Sequence, residues 1–102
     1  LGKLSDNVCT MFTSGTSGPS KGVMMPNAHC VLFAIGTIEN YNLKDDHTFY
    51  ISLPLFHANG LFMQLLACIM TGAKAVIRTR FSASNWLNDI RNYFKETYYQ
   101  KR

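Results

Sequence analysis

Residues 13–23 read TSGTSGPSKGV, and they follow directly on the apolar run VCTMF of residues 8–12. The stretch combines three glycines, several hydroxyl residues and one lysine, Lys21. Glycines let the main chain approach a ligand without side-chain obstruction, and clustered N–H groups and hydroxyls favour an anion. A lysine adds a mobile positive charge, and hydrogen bonds to charged groups contribute about 1.5–3 kcal/mol each. The stretch therefore predicts a phosphate-binding loop at the end of a strand.

The loop does not match three well-known glycine motifs. The pattern G-x-x-x-x-G-K-[ST] fails because Ser20 precedes Lys21 and Gly22 follows it. The dinucleotide pattern G-x-G-x-x-G is absent, and the hydrolase elbow G-x-S-x-G fails because Ser17 is followed immediately by Gly18. On composition alone, a flexible connection without a ligand is the alternative.

Alternating strands and helices are predicted on either side of this loop. Strands are expected at residues 7–13, which should be buried, and at 48–54 and 74–79, and GVMM at 22–25 is expected to be a short extended piece. Because strands that alternate with helices form parallel sheets, the sequence predicts an α/β fold with a parallel sheet covered by helices.

The predicted helices have recognisable ends. The first should enter at Pro26 and Asn27 and end near Tyr41. The second covers the almost wholly apolar residues 61–71, should be buried on most sides, and should end at Gly72 in a left-handed turn. The third should follow Ser84 as N-cap, with an apolar stripe formed by Trp86, Leu87, Ile90, Tyr93 and Phe94.

Composition bounds the class of protein. The 102 residues suffice for one modest domain. Apolar residues make up 47% and charged residues 16%, below the roughly 25% of an average soluble domain, so part of the surface is expected to be covered by other protein. Three distant cysteines without a C-x-x-C pair indicate neither a disulfide framework nor a zinc site, and favour reduced, cytoplasmic thiols. No signal peptide or membrane span is predicted.

The net charge of +4 is unevenly distributed, because most of the basic residues lie from Lys74 onward. A basic third of this kind could contact nucleic acid or an acidic surface. A solvated helix face with a polar end explains the same residues more simply, and no nucleic acid partner is expected.

The stretch FTSGTSGPSKGV at residues 12–23 resembles the phosphate-loop signature of the acyl-adenylate-forming enzymes, which include acyl-CoA synthetases, luciferases and adenylation domains. Ser17 stands where the family commonly has threonine, and the proline that usually precedes the lysine is displaced to Pro19. PLFHANG at residues 54–60 is similar to the family's histidine motif. FSAS with Trp86 resembles carnitine- or crotonobetaine-CoA ligases in particular, and the resemblance extends from about Asn7 to Tyr93.

The resemblance implies a set of functional residues. His57 would border the acyl pocket and the adenylate as a wall or gate, although a lone histidine in an apolar stretch is otherwise more often structural. Thr13 would be a candidate magnesium contact. The β- and γ-phosphates of ATP would be held by Ser14, Gly15, Thr16, Ser17, Gly18 and Lys21.

The resemblance also implies a longer protein. Such enzymes use ATP and Mg²⁺ to convert a carboxylate to an acyl-adenylate, which then passes to a thiol, commonly that of coenzyme A. The adenine-binding motif, the ribose-binding aspartate and the C-terminal domain of the family are not found in residues 1–102, so the chain is interpreted as a fragment of the large N-terminal domain, inactive alone. Two alternatives remain: a small non-catalytic module that binds phosphate or nucleotide and has a basic C-terminal third, or a truncated product without a function.

Overall fold

The structure is a computed structural model, and it describes residues 2–13, 18–78, 80 and 82–100, with side chains described up to residue 93. Strands and helices occur in the order β1 (Asn7–Phe12), β2 (Gly22–Pro26), α1 (Asn27–Tyr41), β3 (Thr48–Ile51), a π-helix (Asn59–Leu66), α2 (Ala67–Thr71), β4 (Lys74–Ile77) and α3 (Ala83–Gln100). The expected α/β fold class is confirmed.

Strands β1 and β2 form an antiparallel hairpin around the glycine-rich loop. Thr10 lies opposite Met24, and Phe12 lies opposite Gly22 at the loop end of the hairpin. The extended piece predicted at residues 22–25 is thus a strand, but among the described residues β1 pairs with β2 rather than joining the parallel sheet. The prediction that β1 is buried is wrong for this chain, because its side chains are exposed or half-buried along its whole length.

The alternation of side chains in the hairpin explains this exposure. Cys9 and Met11 face inward with Met25, and they pack beside Cys30 at the start of α1. The opposite face carries Phe12 and Met24, which are 72% and 66% exposed. Both faces of the hairpin are therefore apolar, and the described residues cover one of them.

Helix α1 begins and ends where the sequence predicts. Pro26 precedes its first turn in an extended conformation, and Asn42 ends it in the left-handed conformation with φ 49°. Its buried face is formed by Cys30, Ala34 and Thr37. The apolar side chain of Leu32, in the same helix, is 63% exposed.

The parallel part of the sheet consists of β3 and β4, with Thr48 opposite Lys74 and Ile51 opposite Ile77. The apolar connection between them was predicted as one α-helix, but the structure places a π-helix before α2. The predicted end at Gly72 is confirmed, with φ 77° and its N–H donating to the Cys68 carbonyl at 2.9 Å. Burial is less complete than predicted, because Ile69 is 67% exposed.

Helix α3 begins at Ala83, one residue before the predicted N-cap Ser84. The N–H groups of Asn85 and Trp86 both donate to the carbonyl of Ser82, at 3.2 and 2.9 Å. The first turn of α3 therefore starts at Ser82, whose carbonyl accepts these hydrogen bonds, and not at Ser84. Among the α3 side chains that the structure describes, Asp89 is the buried one, at 8% exposed, whereas Trp86 of the predicted apolar stripe is 43% exposed.

Asp89 connects α3 to strand β3 and to the residue that follows β4. Its Oδ2 atom accepts a hydrogen bond from the Tyr50 hydroxyl on β3 at 2.9 Å and lies 2.8 Å from Nε of Arg78, which follows β4. A buried carboxylate is tolerated only when it is paired and hydrogen-bonded, and here both conditions are met. This network joins α3 to the parallel strands.

The described residues pack into two hydrophobic clusters that share Leu66 of the π-helix. One contains Ala34 of α1 with Ala67 and Cys68 of α2, and the other contains Met25 and Phe62. The π-helix therefore connects the cluster beneath the hairpin to the cluster beside the parallel strands. No helix in the described part of the chain is both long and apolar enough to cross a bilayer.

The three thiols should differ in reactivity. Cys30 and Cys68 are each 2% exposed, and burial raises the pKa of both thiols, whereas Cys9 is half-buried. Because the thiolate is the reactive form, iodoacetamide at neutral pH should alkylate Cys9 at least roughly tenfold faster than the other two. Peptide mass spectrometry after timed quenching measures this order, and urea-unfolded protein is the control in which the three rates should converge. Equal rates in the folded chain would contradict the burial described here.

Candidate active site at the loop end of the hairpin

The hairpin closes the base of the phosphate loop with contacts between Thr13 and Lys21. The Thr13 N–H donates to the Lys21 carbonyl at 2.9 Å, and the Lys21 N–H donates to Thr13 Oγ1 at 3.3 Å. These contacts extend the ladder one step beyond the Phe12 and Gly22 pair. Thr13 and Lys21 therefore stand opposite each other at the loop end of the hairpin.

The described part of the loop fits an anion. Gly18 has φ 136°, a backbone conformation that L side chains rarely adopt, and apart from its chain neighbours no atom of the described residues lies within 4 Å of the position where a Cβ would stand. Lys21 is exposed, and no carboxylate of the described residues pairs with it. Open backbone and an uncommitted ammonium group are what a phosphate requires. The other predicted phosphate contacts lie outside the described residues: Ser14, Gly15, Thr16 and Ser17.

His57 lies in a tight turn between β3 and the π-helix. Its N–H donates to the Pro54 carbonyl at 3.2 Å, and its own carbonyl accepts the N–H of Leu61 at 3.0 Å. The imidazole is exposed, and its centroid lies 4.5 Å from that of the Phe56 ring. The backbone of His57 is thus held from both sides, and its side chain is free to meet a ligand.

One cavity joins the loop to the histidine motif. It has a volume of about 370 Å³, and both Thr13 and His57 contribute to its wall. The remaining lining residues are predominantly apolar: Met11, Phe12, Val23, Met25, Phe56 and Ala58. The structure therefore brings together two residues that the resemblance assigned to one site, and it surrounds them with a surface suited to an apolar group. Gly18 and Lys21 do not line this cavity.

Thr13 can serve as a metal contact only together with ligands from elsewhere. Its hydroxyl accepts the Lys21 N–H, which leaves a second lone pair. Among the residues that the structure describes, no group of three or more His, Cys, Asp or Glu side chains is arranged to hold a metal ion. Mg²⁺ commonly binds through one or two protein oxygens plus substrate phosphates, and this chemistry is compatible with Thr13 beside a phosphate loop.

Two further residues were not recognised from the sequence. Gly60 packs against backbone of the histidine turn, and a glycine at the start of an apolar helix is the signal that could have indicated such a close approach. Asp89 is not marked by any motif, and an isolated acid on a helix usually faces solvent. No pattern in the sequence distinguishes it from a solvated acid.

A family model for AMP-binding enzymes matches residues 2–98. The chain belongs to this family. Among its relatives, the medium/long-chain-fatty-acid–CoA ligase FadD17 of Mycobacterium marinum is 30% identical over 87% of this chain and 18% of its own length. The 2-succinylbenzoate–CoA ligase of Bacillus licheniformis is 36% identical over the same shares of the two chains. The subgroup resemblance to carnitine- or crotonobetaine-CoA ligases stays a prediction.

A solved structure of an AMP-binding enzyme supports the same assignment. The chain superimposes on O-succinylbenzoate coenzyme A synthetase (MenE) from Bacillus subtilis, solved in complex with ATP and a magnesium ion, with a TM-score of 0.78 and 31% identity. The superposition covers 88% of this chain and 19% of that protein. The chain thus spans about a fifth of the length of the relatives it matches.

Proposed function

We propose that this chain is the part of an ATP-dependent acid–thiol ligase that carries the phosphate loop and the histidine motif. The whole protein would activate a carboxylate as an acyl-adenylate and transfer the acyl group to coenzyme A. The observation that carries the proposal is the cavity that joins Thr13, at the base of the loop, to His57. Membership of the AMP-binding family and the CoA ligase names of its relatives support it.

The described residues have separate roles in this proposal. Lys21 and the open backbone at Gly18 would hold the β- and γ-phosphates, together with Ser14, Gly15, Thr16 and Ser17. The substrate carboxylate attacks the α-phosphorus of ATP, the bond to the bridging oxygen breaks, and pyrophosphate leaves from the loop. Catalysis of this kind depends on positioning and charge neutralisation rather than on proton transfer.

His57 would form a wall between the acyl group and the adenylate. Its exposed imidazole and the neighbouring Phe56 ring face the same cavity, whose apolar lining suits an apolar acyl chain. Bound Mg²⁺ would supply charge neutralisation at the phosphates, with Thr13 as one contact. We assign coenzyme A as the acceptor because the relatives are named CoA ligases.

The alternative of a non-catalytic module with a basic, nucleic-acid-binding third is less well supported. Arg78, near the start of that third, is engaged by Asp89 at 2.8 Å. A guanidinium committed to a buried carboxylate contributes little to phosphate binding elsewhere. We therefore propose no nucleic acid partner. Cytoplasmic localisation stays a prediction from the cysteine pattern.

Acid-dependent exchange of radioactive pyrophosphate into ATP tests the proposed function. The assay compares the pure 102-residue chain with the full-length protein purified from its natural source, using octanoate, palmitate and 2-succinylbenzoate as acids. We expect exchange from the full-length protein with at least one acid, and none from the short chain because it supplies only one part of the site. Exchange by the short chain would contradict its predicted inactivity. A full-length protein without exchange for any acid would contradict the ligase assignment.

A further inference from the structure

Gly60 stands where the π-helix meets the histidine turn, and it is buried. A Cβ placed on it would collide with the Pro54 carbonyl oxygen and would lie 2.8 Å from the Leu53 carbonyl oxygen and 2.9 Å from the Pro54 carbonyl carbon. Real Cβ atoms essentially never approach other heavy atoms this closely. The obstructing atoms are backbone, so they cannot move aside by a change of rotamer.

The Pro54 carbonyl has a second contact, which links Gly60 to the proposed site. The same oxygen accepts the N–H of His57 at 3.2 Å. The Pro54 carbonyl therefore lies between the His57 amide and the Cα of Gly60, which carries no side chain. The His57 carbonyl in turn accepts the Leu61 N–H at 3.0 Å, so the residue after Gly60 closes the turn from the other side.

From this arrangement we infer that Gly60 is a positioning residue for His57: its missing side chain lets the π-helix press against the Pro54 carbonyl and hold the His57 imidazole at the cavity wall. The role rests on the proposed function, because His57 matters to catalysis only if the cavity receives the acyl-adenylate. The geometric part stands without that function. A side chain at residue 60 would displace the Pro54 carbonyl, weaken the bond to the His57 amide and move the imidazole away from Thr13.

The chain contains a matched control for this substitution. Gly36 lies inside α1, and beyond the neighbouring backbone of that helix a Cβ built on it would meet no atom of the described residues within 4 Å. Gly36→Ala thus introduces the same methyl group into a helix without a collision. Differences between Gly60→Ala and Gly36→Ala report the close approach at residue 60 rather than a general effect of replacing glycine.

Heteronuclear NMR of the 102-residue chain provides the direct test. In Gly60→Ala the imidazole resonances of His57 should shift, and its amide should exchange with solvent at least roughly tenfold faster than in the wild type. The Tyr50 resonances, from the network at α3, should stay in place. Gly36→Ala should leave His57 unchanged. A folded Gly60→Ala chain with unmoved His57 resonances would overturn the inference.

Two further measurements keep the test decisive. If Gly60→Ala does not fold, hydrogen exchange of the His57 amide in the wild-type chain tests the inference instead. A protected amide supports the inference. An unprotected amide would show that the turn is not held and would overturn it. In the full-length protein, Gly60→Ala should raise the KM for the carboxylate by a larger factor than the KM for ATP. Equal changes in the two KM values would assign Gly60 a purely structural role, whereas a wild-type protein without exchange activity would refute the proposed ligase and leave the NMR result standing.

Discussion

Replacing Lys21 by alanine should slow acid-dependent ATP–pyrophosphate exchange by roughly 10- to 150-fold in the proposed full-length enzyme. The range follows from the loss of one charge-assisted hydrogen bond of about 1.5–3 kcal/mol, because about 1.4 kcal/mol corresponds to a tenfold change in rate. The reason is positional: Lys21 stands at the base of the loop, is exposed and is paired with no carboxylate of the described residues. Its ammonium group is therefore available to the phosphates of ATP. Exchange rates at saturating ATP and acid measure the effect.

Lys44→Ala is the matched control for the loss of a positive charge. Lys44 is exposed in the polar connection before β3, and its backbone N–H, not its ammonium group, donates to His47 Nδ1 at 3.1 Å. Exchange by this variant should match the wild type within about twofold, as expected for a surface substitution away from the site. If Lys21→Ala retained the wild-type rate, the loop would have no part in pyrophosphate release, and the roles proposed for it would be wrong.

Asp89→Ala should destabilise the chain by about 2–3 kcal/mol, which lowers the melting temperature by on the order of 10 °C. The side chain is nearly buried, and its removal leaves the Tyr50 hydroxyl and the Arg78 guanidinium without their shared acceptor. The estimate lies below the usual cost of breaking a buried ion pair because the Arg78 side chain is 39% exposed and can recover hydration. Thermal unfolding followed by circular dichroism measures the shift.

Asn88→Ala, at the adjacent exposed position of the same helix, is the control and should change stability by less than about 0.5 kcal/mol.

Tyr50 makes the stability of the chain depend on pH. Burial first, and the Asp89 carboxylate second, raise the pKa of the Tyr50 hydroxyl above its ordinary value of 10.0. The stabilisation is complete below that value and is lost as pH rises through the folded pKa, and Tyr50→Phe should abolish this alkaline loss. A melting temperature unchanged in Asp89→Ala would show that α3 is held by other contacts.

The parts of the fold that follow from local patterns could be predicted. Helix α1 was expected between Asn27 and Tyr41 because a proline at its entrance and apolar residues at helical spacing define it locally. Gly72 was expected to end α2 because a left-handed turn after an apolar helix favours glycine. The loop between Thr13 and Lys21 was expected because glycine and hydroxyl residues interrupt an apolar strand.

The parts that depend on distant contacts could not be predicted. The pairing partner of β1 is set by the direction in which the chain returns after the loop, and nothing in residues 7–13 encodes that direction. The π-helix has the same apolar composition as an α-helix, so the sequence does not distinguish them. The resemblance to a family predicted that Thr13 and His57 belong to one site. The cavity that both residues line supports that prediction.

The π-helix has a consequence for how the length of this segment can vary. Hydrogen bonds in a π-helix reach one residue further back than those of an α-helix, so the segment accommodates an extra residue within a similar span. Gly60 fixes one end of the connection against the Pro54 carbonyl, and Gly72 fixes the other in its left-handed turn. A single-residue deletion between them can be absorbed by rewinding Asn59–Leu66 into α-helix, which leaves β3 and β4 in register while it rotates Phe62 relative to the hairpin. Such a deletion would therefore change how Phe62 packs with Met25, a residue of the cavity wall, without breaking the sheet.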